Sequence, residues 1–214
     1  MGEQQLAELF GVSRTQIREA LTRLVTRGIV TVSARRGWYV IEPTADDARD
    51  AFEARRVLET GLLRYARPLS NDAIRQLRQH VEREQAALDG DDIAARSYLL
   101  GDFHVCLCEL FGNTLLVDTL RDLTTRTTLT AMLHQSSHHA RQSCSEHVGI
   151  VAALEGGDLV QAEQLMHGHL CNVEAGLNQS ARSDRPSPLQ QALAPLNENF
   201  NRPPFSTFPQ LKES

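Results

Sequence analysis

Apolar residues recur at intervals of three and four along most of the chain, which is the spacing of one face of an α-helix. Between residues 45 and 179 this spacing predicts six long helices, at about 45–66, 70–89, 92–111, 114–134, 141–155 and 158–179. Short connections between long helices favour antiparallel neighbours. We therefore expect an all-α antiparallel bundle over residues 44–181.

The first 43 residues follow a different plan. A short helix is predicted from Glu3 to Phe10, then a turn, then a second helix that begins at Ser13 and ends at Gly28. Two short strands are predicted at 29–33 and 38–41. Helix, turn, helix and hairpin form a winged helix-turn-helix, so the fold class is mainly α, with residues 1–43 as the head on the bundle.

Polar and basic residues of the head share one surface. Arg14, Thr15 and Arg18 lie on the polar face of the second helix, whose N-terminal residues enter the major groove in this class of fold. Arg35 and Arg36 lie at the hairpin tip, where they can contact the DNA backbone or the minor groove. The alternative is a small packing module with solvated arginines.

The charge and composition limit the binding partners and the cellular compartment that we expect for the protein. The net charge is −5, but residues 1–41 carry a balance of +3, so only the head is suited to a polyanion. No apolar stretch is long enough to span a membrane, and the four cysteines form no CxxC pair. We expect a cytoplasmic protein with reduced thiols. Residues 182–214 hold six of the eight prolines and are predicted to be a disordered tail.

The segment LAELFGVSRTQIREALTRLVTRGIVTVSARRGWYV resembles the DNA-binding head of GntR-family transcription regulators. The resemblance implies that Arg14 and Arg18 contact DNA and that Ser13 and Thr15 contact phosphates. It also implies that Gly37 lets the wing approach the duplex closely.

Two features depart from this family pattern. Gln16 replaces the usual proline, and the chain begins inside the module, so we expect an N-terminally truncated head that lacks the family's first helix. Gln4 stands where the family has a DNA-contacting arginine. A ligand sensor that does not bind DNA is therefore an alternative.

Three histidines lie on apolar stripes of three different predicted helices: His104, His147 and His169. A buried histidine must be hydrogen-bonded or bound, and a single one is usually a satisfied core residue. Three imidazoles on facing helices suit zinc, nickel or a similar transition metal. The other five are expected at the surface: His80, His134, His138, His139 and His167.

The segments EARRVLETGLL, LLGDFHVCLCELFGN, SEHVGIVAALEGGD and AEQLMHGHL resemble the FadR-type ligand-binding domain, called FCD. By this resemblance the three histidines occupy the family's metal-ligand positions, and Leu100 replaces an aspartate that is often the fourth ligand. Arg55 matches a family arginine that helps to bind an anionic effector. Its alternative role is an ion pair with Glu59, one helical turn away.

Together these features predict a transcription regulator whose affinity for operator DNA is controlled by a small carboxylate bound at a divalent metal. A homodimer is expected because such heads read paired half-sites. Three histidines with an open metal position also describe a hydrolytic centre. No Asp or Glu shares the histidine stripes, so we do not expect an enzyme.

Overall fold

The computed structural model describes residues 2–26, 28–33, 37–41 and 43–181. Within these ranges the chain forms eight helices and two strands, in this order: α1 (Glu3–Phe10), α2 (Arg14–Thr26), β1 (Val30–Ser33), β2 (Gly37–Val40), α3 (Ala45–Tyr65), α4 (Asn71–Leu88), α5 (Ile93–Leu110), α6 (Thr114–His134), α7 (Ser137–Glu155) and α8 (Leu159–Ala181). The predicted tail and the arginines of the hairpin tip, Arg35 and Arg36, lie outside the described residues.

The head is a winged helix-turn-helix, as predicted. Helices α1 and α2 pack together, and Ala7, Ile17 and Leu21 form a small core with residues beside and within β1. Gly11 connects the helices with φ at 64°, a left-handed conformation that glycine adopts without strain. Strands β1 and β2 pair antiparallel, with Val30 opposite Val40, and form the wing.

Side-chain caps set the starts of the body helices. At the start of each of the six, the side chain of the residue before the helix accepts a hydrogen bond from the backbone N–H three residues later: Thr44, Ser70, Asp92, Asn113, Ser136 and Asp158. The Ser136 cap explains the largest boundary error, because it starts α7 at Ser137 rather than at residue 141.

The six body helices form the expected bundle around a main apolar core, and a second, smaller apolar cluster lies between α3, α5 and α6. Phe52 on α3, Leu77 on α4 and Phe103 on α5 are almost fully buried, as are Ile150 on α7 and Met166 on α8. Neighbouring pairs include α3 with α8, α5 with α6, and α4 with α7. No helix in the described ranges is long and apolar enough to cross a membrane.

Helix α6 carries the contact between the bundle and the head. Leu129 packs against the apolar cluster of the head, as Leu24 and Trp38 do. Gly28 ends α2 with φ at 68°, and a Cβ on it would lie 3.3 Å from a guanidinium nitrogen of Arg126 on α6. The end of the second helix therefore lies directly against α6.

Candidate metal centre and DNA-binding surface

The structure brings the three predicted histidines together in the middle of the bundle. His104 on α5, His147 on α7 and His169 on α8 are each at most 3% exposed. The Nε2 of His169 lies 3.3 Å from the Nε2 of His147 and 3.2 Å from that of His104. We call this group the inner cluster.

Each imidazole of the inner cluster is held by a carboxylate at its other nitrogen. His104 Nδ1 lies 2.5 Å from Glu59, His147 Nδ1 lies 2.9 Å from Glu84, and His169 Nδ1 lies 2.8 Å from Glu146. An ionised carboxylate only accepts hydrogen bonds, so each Nδ1 carries the proton. In the neutral imidazoles, each Nε2 then presents a lone pair to the same point.

Electrostatics favour the neutral form of two imidazoles, His104 and His169, and the charged form of two carboxylates, Glu84 and Glu146. Burial, followed by the charge of Arg55, holds the pKa of His104 well below 6.5, and burial lowers that of His169 to about 4. Burial alone would raise the pKa of Glu84, but His147 and His80 lower it to about 2. Near pH 7 these groups therefore have the protonation states that metal ligands and their supporting carboxylates require.

The inner cluster fits a divalent transition metal. Three lone pairs that meet without a donor between them repel one another, and a cation at their centre removes this repulsion. Tetrahedral zinc with nitrogen ligands places those nitrogens roughly 3.3 Å apart, which matches the spacings of 3.3 and 3.2 Å between the Nε2 atoms. Leu100 is buried and lies among the residues beside the cluster, so it supplies no fourth ligand and leaves an open position.

A small cavity of about 30 Å³ adjoins the inner cluster. Its walls include His104, His169 and Arg55, together with Ser97 and Gln135. Three of these wall residues present a buried polar atom without a hydrogen-bond partner: Nη2 of Arg55, Oγ of Ser97 and Oε1 of Gln135. Buried polar atoms are rarely left unpaired, so these atoms indicate a polar ligand.

Arg55 forms the ion pair with Glu59, and its side chain also lines the cavity. Its Nε donates to Glu59 over 2.8 Å, and its Nη1 donates to Thr127 over 2.8 Å. The second oxygen of Glu59 bonds to His104, so one carboxylate orients both the arginine and a metal ligand. The ion pair with Glu59 therefore fixes Arg55 in the wall of the cavity.

One expectation about polar residues was wrong. His80 is 1% exposed rather than at the surface, because its ring lies between α4 and α5 and bonds to the carbonyl of Leu99. Three carboxylates bond to the inner cluster, although none of them lies on the apolar stripes of the three histidines. Glu59 and Glu84 reach the cluster from α3 and α4, and Glu146 lies beside His147; all three bond to Nδ1 rather than facing the open position.

The N-terminal face of α2 is exposed, as DNA binding requires. The side chains of Arg14 and Arg18 are 62% and 63% exposed, and Thr15 is exposed beside them. Ser13 caps the helix by accepting from the N–H of Gln16 and also donates to its side chain. Gly37 opens β2 with φ at 71°, a conformation that suits glycine.

Glu3 connects the three elements of this surface. Its carboxylate accepts hydrogen bonds from Nε and Nη2 of Arg18, over 3.0 and 2.7 Å, and from the indole N–H of Trp38 over 3.2 Å. The Nη2 of Arg14 lies 3.8 Å away. Arg18 is thus held in a defined orientation at the surface, by a residue that sequence reasoning did not single out.

A winged helix-turn-helix head joined to a helical bundle is the architecture of a transcription regulator. Residues 1–40 match the gntR family of bacterial regulatory proteins, and residues 50–172 match the FCD domain. The chain belongs to the GntR family, in the FadR-type subfamily that carries an FCD domain.

Curated relatives span most of the chain. It is 29% identical to the transcriptional regulator LutR of Bacillus subtilis, over 80% of this chain and 87% of the relative. It is 29% identical to the Uxu operon transcriptional regulator of Escherichia coli K12, over 85% and 79%. It is 30% identical to the transcriptional repressor NanR of Escherichia coli, over 81% and 73%.

Solved structures share the fold. A putative GntR transcriptional regulator from Rhodococcus sp. RHA1 aligns with a TM-score of 0.73 at 22% identity, over 85% of this chain and 88% of that chain. Escherichia coli McbR/YncC aligns with a TM-score of 0.74 at 21% identity, over 84% and 87%. At these identities the similarity concerns the architecture.

Proposed function

We propose that this regulator binds operator DNA as a homodimer and that a small carboxylate, bound beside the inner cluster, controls its operator affinity. The observation that carries this proposal is the convergence of three histidine lone pairs next to an unpaired, buried arginine donor. The paired carboxylates on the far side of each ring support it, because they leave Nε2 of each histidine available.

His104, His147 and His169 are the residues that would hold a divalent metal, with zinc or nickel as the expected ions. A metal bound there would supply positive charge for a ligand oxygen at its open position. The chain's own contribution to the ligand is Arg55, whose free Nη2 can donate a charge-assisted hydrogen bond to a carboxylate. The hydroxyl of Ser97 offers a second, neutral partner.

Helix α6 is the element through which the cavity can influence the head. Thr127 and Thr128 line the cavity, and Thr127 accepts the hydrogen bond of Arg55. Leu129, immediately after them, packs on the core of the head. A ligand that favours one position of α6 would favour one arrangement of the two heads in a dimer, which is how binding shifts the population of DNA-competent molecules.

Replacing Arg55 by glutamine is expected to weaken carboxylate binding by roughly 10- to 100-fold, which corresponds to one charge-assisted hydrogen bond. The measurement is isothermal titration of the zinc-loaded protein with acetate, succinate and citrate, each beside its uncharged amide. The wild-type chain should bind at least one carboxylate and not the matching amide.

The matched control is Arg56→Gln, the same substitution at the next position. Arg56 is ion-paired with Glu174 and does not line the cavity. Arg56→Gln should leave carboxylate affinity unchanged. Equal losses in both variants would mean that the effect comes from the bundle's stability and not from a contact with the ligand.

A further inference from the structure

A second group of potential metal ligands lies between α4 and α5, with one buried member and two half-buried ones. Asp102 and Cys106 are one turn apart on α5, and the ring of His80 on α4 faces them. Cys106 Sγ lies 3.6 Å from His80 Nδ1 and 3.5 Å from Asp102 Oδ2. We call this group the outer cluster; it shares no residue with the inner cluster.

The hydrogen bonds of His80 show which ring nitrogen is available. Its Nε2 lies 3.0 Å from the carbonyl of Leu99, which can only accept, so Nε2 carries a proton. Its Nδ1 lies 3.0 Å from Nη2 of Arg83, which can only donate, so the neutral ring has its lone pair on Nδ1. This lone pair faces Cys106. Burial lowers the pKa of His80, but its hydrogen bonds to Cys106 and Glu84 raise it to about 10, so a metal must displace a proton from this ring in order to bind.

Hydrogen bonds also orient the carboxylate of Asp102 and the ring of His80. The hydroxyl of Tyr98 bonds to Oδ1 of Asp102 over 3.4 Å, which leaves Oδ2 facing the cysteine. The Nε2 proton of His80 also faces a carboxylate, since Glu84 Oε1 lies 3.3 Å away. Histidines that bind metals commonly donate their other N–H to a carbonyl or carboxylate, and His80 faces both.

We propose that His80, Asp102 and Cys106 form a second metal site that takes a thiophilic divalent cation of the zinc type. In a tetrahedral zinc site a sulfur ligand lies roughly 3.5 Å from the nitrogen and oxygen ligands, and Cys106 Sγ has these spacings to His80 and Asp102. On binding, the Cys106 thiol gives its proton to water as the metal–sulfur bond forms. Two anionic ligands then balance the charge of the cation.

The environment leaves room for a fourth ligand. His80 and Cys106 lie in the wall of an open groove of about 940 Å³, together with Gln79, Arg83 and Glu109. Water can therefore reach a metal at this position. The exposed guanidinium of Arg83 lies close enough to His80 Nδ1 to repel a bound cation, so its side chain must move away when a metal binds.

The test is a titration of the metal-free full chain with Co²⁺, which reports a metal–thiolate bond through a charge-transfer band in the near ultraviolet. We expect one Co²⁺ per chain to produce this band and Zn²⁺ to displace it. Cys106→Ser should abolish the band, and Asp102→Asn should weaken Co²⁺ binding. Glu84 is not a useful target, because its carboxylate faces both His80 and His147.

Two controls separate this site from other thiols and from the inner cluster. Cys171→Ser should keep the band. Cys171 has one potential ligand beside it, His167 at 4.0 Å, and it belongs to no group of three ligands in the part of the chain that the structure describes. His169→Ala should also keep the band, since the inner cluster offers only nitrogen ligands. A band that persists in Cys106→Ser, or no band in the wild-type chain, would overturn the proposal.

A variant with the opposite effect guards against misfolding as an explanation. Arg83→Gln removes a positive charge beside the ligands, so Co²⁺ should bind roughly fivefold more tightly. This factor corresponds to the repulsion of about 1 kcal/mol between two exposed positive charges near 4 Å. Loss of folding cannot produce a gain in affinity. Unchanged or weaker binding in this variant would mean that a cation does not occupy the position beside His80 Nδ1.

Discussion

Replacing His169 by alanine is expected to abolish metal binding at the inner cluster. Its Nε2 lies within 3.3 Å of the Nε2 atoms of both other histidines. The substitution therefore removes the central ligand of the inner cluster and leaves only two histidines to hold a metal. At a metal concentration about 100 times the dissociation constant, a metal stabilises the folded chain by about 2.7 kcal/mol. For a chain of this size, that raises the melting temperature by roughly 5–10 °C.

The measurement is a set of thermal melts with zinc, nickel or manganese, with and without chelator. Both the parent protein and the His169→Ala variant should carry Cys106→Ser, so that only the inner cluster responds. His167→Ala is the matched control, since His167 is exposed two residues earlier on α8. If no metal raises the melt of the parent, or if His169→Ala keeps the rise, the inner cluster is a set of core histidines.

The pKa shifts add a pH dependence to the metal-free protein. The folded state holds the pKa of His104 and His169 below the value of about 6.5 that they have when unfolded. Below about pH 6.5 the unfolded chain therefore binds more protons, and stability falls as the pH falls toward 4. Above pH 6.5 this contribution is constant. Metal binding weakens over the same range, because protons compete for the imidazoles.

The second large effect is expected at the DNA-binding surface. Arg18→Ala and Arg14→Ala should each weaken operator binding by roughly 5- to 150-fold, the equivalent of about 1–3 kcal/mol for an arginine–guanine contact. Both side chains project from the N-terminal turns of α2, and neither is needed for the bundle. The measurement is a gel-shift titration with an operator selected from random-sequence DNA by the full chain.

The control is Arg23→Ala, which removes an exposed arginine from the last turn of the same helix. It should change operator affinity much less than the other two substitutions. Unchanged affinity in both Arg14→Ala and Arg18→Ala would contradict the docking of α2 in the major groove. A wild-type chain that selects no DNA at all would favour the alternative of a ligand sensor that does not bind DNA.

The sequence alone determined the elements and the identity of the inner histidines. Helix periodicity and capping residues such as Asp92 and Asn113 act over a few neighbouring positions, so the helices and most of their ends could be predicted. His104, His147 and His169 could be found for the same reason, because each shares a stripe with apolar residues of its own helix.

Only the tertiary structure decided how these histidines can work. Glu59 and Glu84 lie on other helices than their histidine partners, and no local spacing in the sequence relates residues that are 45 or 63 positions apart. The same holds for His80, which looks like a surface residue on its own helix and is buried only because α5 packs over it. Side chains from separate helices meet through packing, so the protonated ring nitrogens and the outer cluster became visible only in the folded chain.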